Sequence, residues 1–291
     1  YTGRSPKDKF FVKNAASEDY TMLRQTLAAS VLNVMKNNFD NGQKNIWNYE
    51  IGKTYVKIAQ ADEKSSGVKE TQTLAGVITG DIQNSLWQKG AETDFYTVKG
   101  IMEKLFEELE ISKRIKLQPL EKTPLANTHA ILHPYKTAVI TLLGKTPKPI
   151  GWFGQIHPIL KDKLKLNQEA FIFKLDLDEV ISIIKERIPR FKKLPQFPEV
   201  RRDLAFVINK DVTFDDIQKV IKGSIQQNIF KGSEVFDVYE GEHIQDGYKS
   251  VAFRIKMQDE NATLTDEVIE KQMNSVRDKL KKTYADINFR E

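Results

Sequence analysis

Residues 197–208 read FPEVRRDLAFVI, and the reading of this stretch decides the architecture of everything C-terminal to it. Pro195 and Pro198 end whatever precedes them, because proline pushes the residue before it out of the helical region. Arg201 and Arg202 follow side by side. Leu204, Phe206 and Ile208 then alternate with other residues, the period-two mark of a strand with one buried face. The strand is expected over 203–210.

Working outward from it, Thr213 with Asp216 three residues on gives a capping-box-like helix start. Phe214, Ile217, Val220, Ile221 and Ile225 share one helical face. A second strand is expected over 233–240, SEVFDVYE. A glycine-containing turn, 241–247, leads to a third strand over 249–257. Thr265 caps a long helix whose first turn holds Asp266 and Glu267, where the helix dipole favours acids. Val268, Ile269, Met273, Val276, Leu280 and Tyr284 form its apolar stripe. A short last strand carries Ile287 and Phe289. The order βαββαβ is the ferredoxin-like split pattern, with two helices on one face of a four-stranded antiparallel sheet. The other face stays free, a common place to lay a nucleic acid.

On the third strand Val251, Phe253, Ile255 and Met257 take the helix side. Ala252, Arg254 and Lys256 take the open side, beside Arg290 of the last strand. Arg201, Arg202, Arg254, Lys256 and Arg290 are the candidate RNA-contacting residues; each also reads as an ordinary solvated cation. Tyr239 offers a stacking surface if its register turns it outward, which alternation leaves open.

The 291 residues allow two domains of ordinary size, and 40% hydrophobic content suffices for real cores. No run of 18 apolar residues occurs and the start is not signal-like, so no membrane association and a cytoplasmic location are expected. The absence of cysteine removes disulfides, thiolate chemistry and Cys-ligated zinc. The net charge of +5 is unevenly placed: residues 195–291 hold 15 Lys and Arg against 18 Asp and Glu. The basic excess lies upstream, and only local patches argue for RNA. Between 185 and 202 stand Lys185, Arg187, Arg190, Lys192, Lys193, Arg201 and Arg202 against Glu186 and Glu199, a solvated linker or a phosphate-contacting hinge.

Upstream, Leu23, Leu27, Val31, Val34 and Met35 fall on one side of a helix that Asn37 and Asn38 end. Residues 46–57, IWNYEIGKTYVK, read as a strand broken by Gly52. A polar loop over 64–70 precedes a strand at 74–79. Asp94 opens a helix carrying Phe95, Val98, Met102, Leu105 and Leu109. Strands are expected at 114–120, 137–143, 150–156 and 170–176, and helices at 158–166 and 178–187.

Several constellations look chemical. His129 and His133 stand four apart, as in a helical metal pair, but Pro134 takes His133 out of helical conformation. His133 and His157 both precede proline and read as turn residues. Asp215-Asp216 and Asp266-Glu267 read as first-turn acids. Gly144-Lys145-Thr146 lacks the leading glycine of a phosphate loop, and Val139 stands in its place. Gly151 and Gly154 read as tight-packing positions.

The spacing of RRDLAF, FDVYEG, KSVAFR and TLTDE across 195–290 resembles the ferredoxin-fold anticodon-binding domain that closes the beta subunit of bacterial phenylalanyl-tRNA synthetases. Upstream, Leu23-Arg24, Glu50-Ile51-Gly52, the set Asp94, Phe95, Tyr96, Lys99 and Gly100, Leu132-His133-Pro134, and Gly154-Gln155-Ile156-His157-Pro158 are similar to motifs of the same subunit. Tyr135 replaces a usual glycine and Gln155 a usual glutamate. The implied fold class is α+β: a non-catalytic class II synthetase-like antiparallel sheet module, then the ferredoxin-like βαββαβ domain. The expected division is 1–18 irregular, 19–188 catalytic-like module, 189–291 anticodon-binding domain.

That resemblance implies a C-terminal portion of a beta subunit, supporting ATP-dependent charging of tRNA(Phe). The implied partners are tRNA(Phe) and the alpha subunit, in a heterotetramer of two alpha and two beta chains. No catalytic residue, metal or cofactor is expected on this portion; ATP and Mg²⁺ serve the whole enzyme. The family's ATP site needs a second-motif arginine and a G-x-G-x-G-x-x-R stretch, and no G-x-G-x-G occurs here. The family's editing and acidic metal-binding regions are expected to lie outside this sequence, and its start at Tyr1 reads as a truncation. The alternative is a stand-alone RNA-binding or assembly protein reusing these domains. Residues 1–12, YTGRSPKDKFFV, resemble a segment of ATP-dependent phosphoenolpyruvate carboxykinase, where the arginine, here Arg4, binds the carboxylate substrate. That gives a third, less favoured reading as a carboxykinase-related enzyme.

Overall fold

Alternation and capping act first. In a computed structural model, which describes residues 10–17, 21–57, 67–82, 90–123, 131–185 and 195–290, the chain divides into two units, Tyr1–Pro189 and Arg190–Glu291. Arg4 with its segment, His129, and the basic residues at 187–193 lie outside the described residues.

The first unit is an antiparallel sheet of β1 (Ile46–Lys57), β2 (Val68–Thr79), β3 (Ile115–Pro119), β4 (Leu132–Leu142), β5 (Lys148–Ile156) and β6 (Ala170–Asp176), in the order β1-β2-β6-β5-β4-β3. Helices α1 (Ala28–Asp40) and α3 (Pro158–Lys163) serve one face, where Leu27, Val31, Met35 and Phe39 meet Val77, Trp152, Ile156 and Ile172. Helices α2 (Phe95–Glu108) and α4 (Leu177–Lys185) serve the other. There Val98, Met102, Phe106, Val180 and Ile183 meet Ile140, Phe153 and Phe173. Burial on both faces explains why β5 and β6 read as near-continuous apolar runs.

Caps set the helix starts. The Asp94 carboxylate accepts from the Thr97 backbone N–H at 2.7 Å, and the Thr97 hydroxyl answers the Asp94 N–H at 3.2 Å, two otherwise orphaned donors satisfied together. Nδ1 of His157 accepts from the Ile159 N–H at 3.2 Å, with Pro158 at the first helical position. Nδ1 of His133 accepts from the N–H groups of Tyr135 and Lys136. His157 thus caps the short helix, while His133 steadies the irregular start of β4, where the register shifts between Leu132 and Thr137.

Several elements depart from the sequence reading; β4 starts at Leu132 rather than 137, and the strands expected to start at 203 and 233 start at Val200 and Phe230. Helix α1 runs past Asn37 and Asn38 to Asp40, because buried Phe39 continues its stripe; Val34 is exposed. β1 is continuous through Gly52, where a Cβ would sit 2.1 Å from Nη2 of Arg24. The glycine therefore admits Arg24, which bonds Glu50 and the Lys53 carbonyl, rather than breaking the strand. β2 begins at Val68, its polar first half pairing with β1.

The second unit follows the order β7 (Val200–Asn209), α5 (Phe214–Ser224), β8 (Phe230–Tyr239), β9 (Tyr248–Met257), α6 (Asp266–Thr283), β10 (Asn288–Arg290), with strands arranged β10-β7-β9-β8. The Thr213 and Thr265 hydroxyls accept from the N–H groups of Asp216 and Val268 at 3.2 and 3.4 Å. Leu204, Phe206, Ile208, Val251, Phe253, Ile255 and Met257 meet Ile217, Ile221, Ile269, Met273, Val276 and Leu280 in one core. Phe206 stacks on Phe253 with centroids 5.9 Å apart, and Phe289 meets Phe206 edge-on. Lys249 stands on this helix side too. Its ammonium donates to the carbonyls of Lys210 and Val212 at 2.9 and 2.7 Å, fastening the β7–α5 turn, and burial pulls its pKa down.

Two consequences can be measured by chemical unfolding. Phe253 is fully buried, so Phe253→Ala should cost about 3–5 kcal/mol; a loss below about 1 kcal/mol would contradict its burial. A Cβ on Gly151 would lie 2.3 Å from the Lys174 carbonyl oxygen, so Gly151→Ala should cost about 1–3 kcal/mol by overpacking. An unchanged midpoint would show that the strands give way freely.

Candidate nucleic-acid interface

The helix-free face of the second sheet is laid out by register. Because β7 and β9 are antiparallel, Arg201 stands opposite Lys256, Asp203 opposite Arg254, and Ala205 opposite Ala252. β8 adds Gly232 beside Lys256, Glu234 beside Arg254, Asp237 beside Ala252 and Tyr239 beside Ser250. β10 adds Arg290 beside Ala205.

Four of the five candidate cations share this face. Arg254 is clasped: Nε and Nη2 donate to the two carboxylate oxygens of Asp203 at 2.9 and 2.8 Å, and the guanidinium lies 4.8 Å over the Phe236 ring. The hydrogen bond from Arg254 holds the Asp203 carboxyl below its ordinary range, and the same bond raises the guanidinium. Lys256 reaches Glu234 at 2.7 Å, which lowers the Glu234 carboxyl. Nε of Arg201 donates to Glu199 at 2.8 Å. Nη1 of Arg290 donates to the Ser250 hydroxyl at 3.1 Å. Arg202 is placed elsewhere: one residue on from Arg201, it falls on the helix side of β7 and reaches Asp266 at the start of α6, 3.5 Å away. Strand alternation separates the two neighbouring arginines.

Arg201, Arg254, Lys256 and Arg290 are therefore set among Glu199, Asp203, Glu234 and Asp237, so the face is close to neutral rather than a bare cationic patch. Tyr239 is on it, opposite Ser250 and half-exposed, as is Phe236. Alternation from Glu234 would have turned Tyr239 inward. A register shift between Val235 and Asp237 inserts one residue and turns it out. Sequence reasoning missed Phe236, Glu234 and Asp203. The signal for Asp203 was present, since it stands two residues from Arg201 on the same strand; the other two depend on the shift.

The chain was compared with known proteins. The family model for the phenylalanyl tRNA synthetase beta chain CLM domain matches residues 3–177, and that for the ferredoxin-fold anticodon binding domain matches 195–287. The chain belongs to the phenylalanyl-tRNA synthetase beta chain family. Its relatives include the phenylalanine–tRNA ligase beta subunits of Geobacillus kaustophilus (33% identical over 254 residues, 87% of this chain and 30% of that one) and Bacillus subtilis (34% over 273 residues, 92% and 31%). That of Legionella pneumophila strain Lens is 30% identical over 282 residues, 96% of this chain and 33% of that one. The chain spans about a third of the length of these curated relatives. A crystal structure of pyrrolysyl-tRNA synthetase from Desulfitobacterium hafniense aligns over 62% of this chain and 54% of its own at TM-score 0.42 and 15% identity, a likeness too slight to argue from.

The fold is thus α+β, an antiparallel synthetase-type sheet module followed by a ferredoxin-fold anticodon-binding domain. Strands β2 to β6 carry no arginine to meet ATP phosphates. Gly151 and Gly154 are closed in by the Lys174 carbonyl and by Thr137, so they leave no phosphate cradle. Gly144-Lys145-Thr146 lies in the hairpin turn between β4 and β5, not between a strand and a helix as a phosphate loop would. Among the described residues, strands β2 to β6 thus offer neither an arginine nor a glycine cradle for ATP phosphates.

The Arg254–Asp203 pair carries a pH signature. The Asp203 pKa is lowered on folding from its ordinary 3.8, so the pair's contribution is complete above that value and is lost as pH falls through the folded one. Both groups are partly exposed, so solvent screening keeps the contribution small. Asp203→Asn should be slightly less stable than the parent at neutral pH and indistinguishable from it in strong acid. A gap that widens on acidification would refute the assignment.

Proposed function

We propose that this chain is part of a phenylalanine–tRNA ligase beta subunit that supports ATP-dependent charging of tRNA(Phe) without carrying the chemistry itself. The first unit docks the alpha subunit, which holds ATP and Mg²⁺. The second unit contacts the anticodon region. The working assembly is a cytoplasmic heterotetramer of two alpha and two beta chains, and the proposed domain division is 19–188 and 189–291.

One observation carries the anticodon reading: a helix-free sheet face of an anticodon-binding family domain, on which Arg201 and Lys256 stand side by side next to Gly232. Both cations are already met by carboxylates, Arg201 by Glu199 and Lys256 by Glu234, so a phosphate binds here by taking the place of those partners. Arg254 and Arg290 lie on the same face, with Tyr239 and Phe236 as surfaces on which bases can stack. Arg202 is assigned a secondary part, since it stands on the helix side beside Asp266. The carboxylates Glu199, Asp203 and Glu234 make contact weak and local. RNA must displace them or bind between them, so this face orients the anticodon stem more than it holds the tRNA. The lack of arginine on β2 to β6 supports leaving the nucleotide to the partner.

The test uses a complete enzyme carrying Arg254→Ala with Lys256→Ala. Removing the cations also leaves Asp203 and Glu234 uncompensated, so KM for tRNA should rise several-fold while ATP–pyrophosphate exchange, which needs no tRNA, holds. Restoring neutrality by adding Asp203→Ala and Glu234→Ala should recover part of the loss. An unchanged tRNA KM with unchanged salt dependence would remove this face from the RNA surface. A fall in exchange would mean that the residues act through assembly.

A further inference from the structure

The chain's positive charge is concentrated away from the anticodon-binding face. Residues 111–165 hold ten Lys and Arg against Glu121 and Asp162, an excess of eight in a chain whose net charge is +5. The segment comprises β3, β4, β5 and α3, and register gathers half of its cations at one end of the first sheet. Ile115 pairs with Leu142 and Lys116 with Thr141, while Leu142 pairs with Lys148. The Leu143 N–H donates to the Arg114 carbonyl at 2.7 Å, which brings Lys113 and Arg114 beside the turn holding Lys145.

Lys113, Arg114, Lys116, Lys145 and Lys148 are all exposed. Lys148 is engaged by Glu179. Among the described residues Lys113, Lys116 and Lys145 have no ion pair. That contrasts with the anticodon-binding sheet face, where Arg201, Arg254 and Lys256 each have a carboxylate.

We propose that this end of the first unit, the β4–β5 hairpin tip with the entry to β3, is a second RNA surface that takes the phosphate backbone without reading sequence. Lysines are depleted at protein–protein interfaces but supply phosphate contacts, so a cluster of unpaired lysines fits a polyanion better than a folded partner. Pro147 and Pro149 flank Lys148 and fix the backbone of the tip, lowering the ordering cost on binding. Gly144 has open space where a side chain would stand, so a backbone phosphate can approach the turn. The inference takes its partner class from the tRNA-charging reading, but it concerns different residues on a different unit.

The experiment measures binding of the full chain to two labelled probes by fluorescence anisotropy, across 50–200 mM salt. One probe is a tRNA(Phe) transcript, the other an RNA duplex of unrelated sequence. The variant is Lys113→Gln, Lys116→Gln, Lys145→Gln. The control, Lys69→Gln, Lys222→Gln, Lys271→Gln, removes the same charge from scattered exposed sites. The first variant should lose about tenfold or more in affinity for both probes, and its log–log salt slope should fall by about two to three units, while the control changes far less.

Unchanged affinity and slope would overturn the proposal. So would an equal loss in the control, which would mean bulk charge alone, or lost capture of the alpha subunit with RNA binding intact, which would make the tip a protein interface. If the triple variant melts early, Lys145→Gln at the turn keeps the question open to measurement: its slope should fall by about one unit, and no fall refutes the surface. Arg254→Ala with Lys256→Ala in the same assay distinguishes the two readings. Should that variant bind as the parent does, the anticodon face fails and the hairpin result still stands.

Discussion

In the second unit, everything depends on how β7 meets β9. The pair is in register over its whole length, with Leu204 opposite Phe253 and Phe206 opposite Val251. That registration stacks Phe206 on Phe253 and directs both at α5 and α6. A slip of one residue would turn the entire apolar set to water, so burial of that face strongly specifies the register. The functional face is the other side of the same constraint. Once Phe253 is committed to the core, Arg254 and Lys256 have no choice but to face outward, and Asp203 is brought opposite Arg254. Core and candidate interface are fixed by one interaction.

The open face shows why a row of cations in a sequence is weak grounds for an RNA patch. Arg254 is held by both oxygens of Asp203, and Lys256 by Glu234. Exposed pairs of this kind add little stability. Their effect is on recognition: a neutralised surface draws a polyanion weakly from a distance, then answers to close geometry and stacking. The lysines at the β4–β5 tip are arranged differently: Lys113, Lys116 and Lys145 have no ion pair among the described residues, while Lys148 meets Glu179.

The second unit was largely legible because its signals agree. Thr213 and Thr265 cap where the apolar stripes begin, and strand alternation switches to helical spacing at each cap. The first unit was legible in its element order and less so in its edges. Gly52 looked like a strand breaker because propensity is local, whereas the reason for it, Arg24 lying across the strand, comes from 28 positions earlier. Val34 looked like core because the helix stripe was phased on Leu23, which precedes the helix. Tyr239 could not be placed because the extra residue near Phe236 leaves no mark in composition. In each case the missing information was a contact between segments far apart in the chain.

In the first unit the sheet is packed from both sides. Its central strands are buried on both faces, with Trp152 and Ile172 packed toward α1 and Phe153 and Phe173 toward α2 and α4. Where the family's chemistry would call for glycines that cradle phosphates, Gly151 and Gly154 are filled by a carbonyl and a threonine of the neighbouring strands. Such close approach leaves room for nothing larger than a hydrogen, so these glycines serve strand packing. What this packing leaves free is the end of the sheet, where register gathers the exposed lysines of the β4–β5 tip.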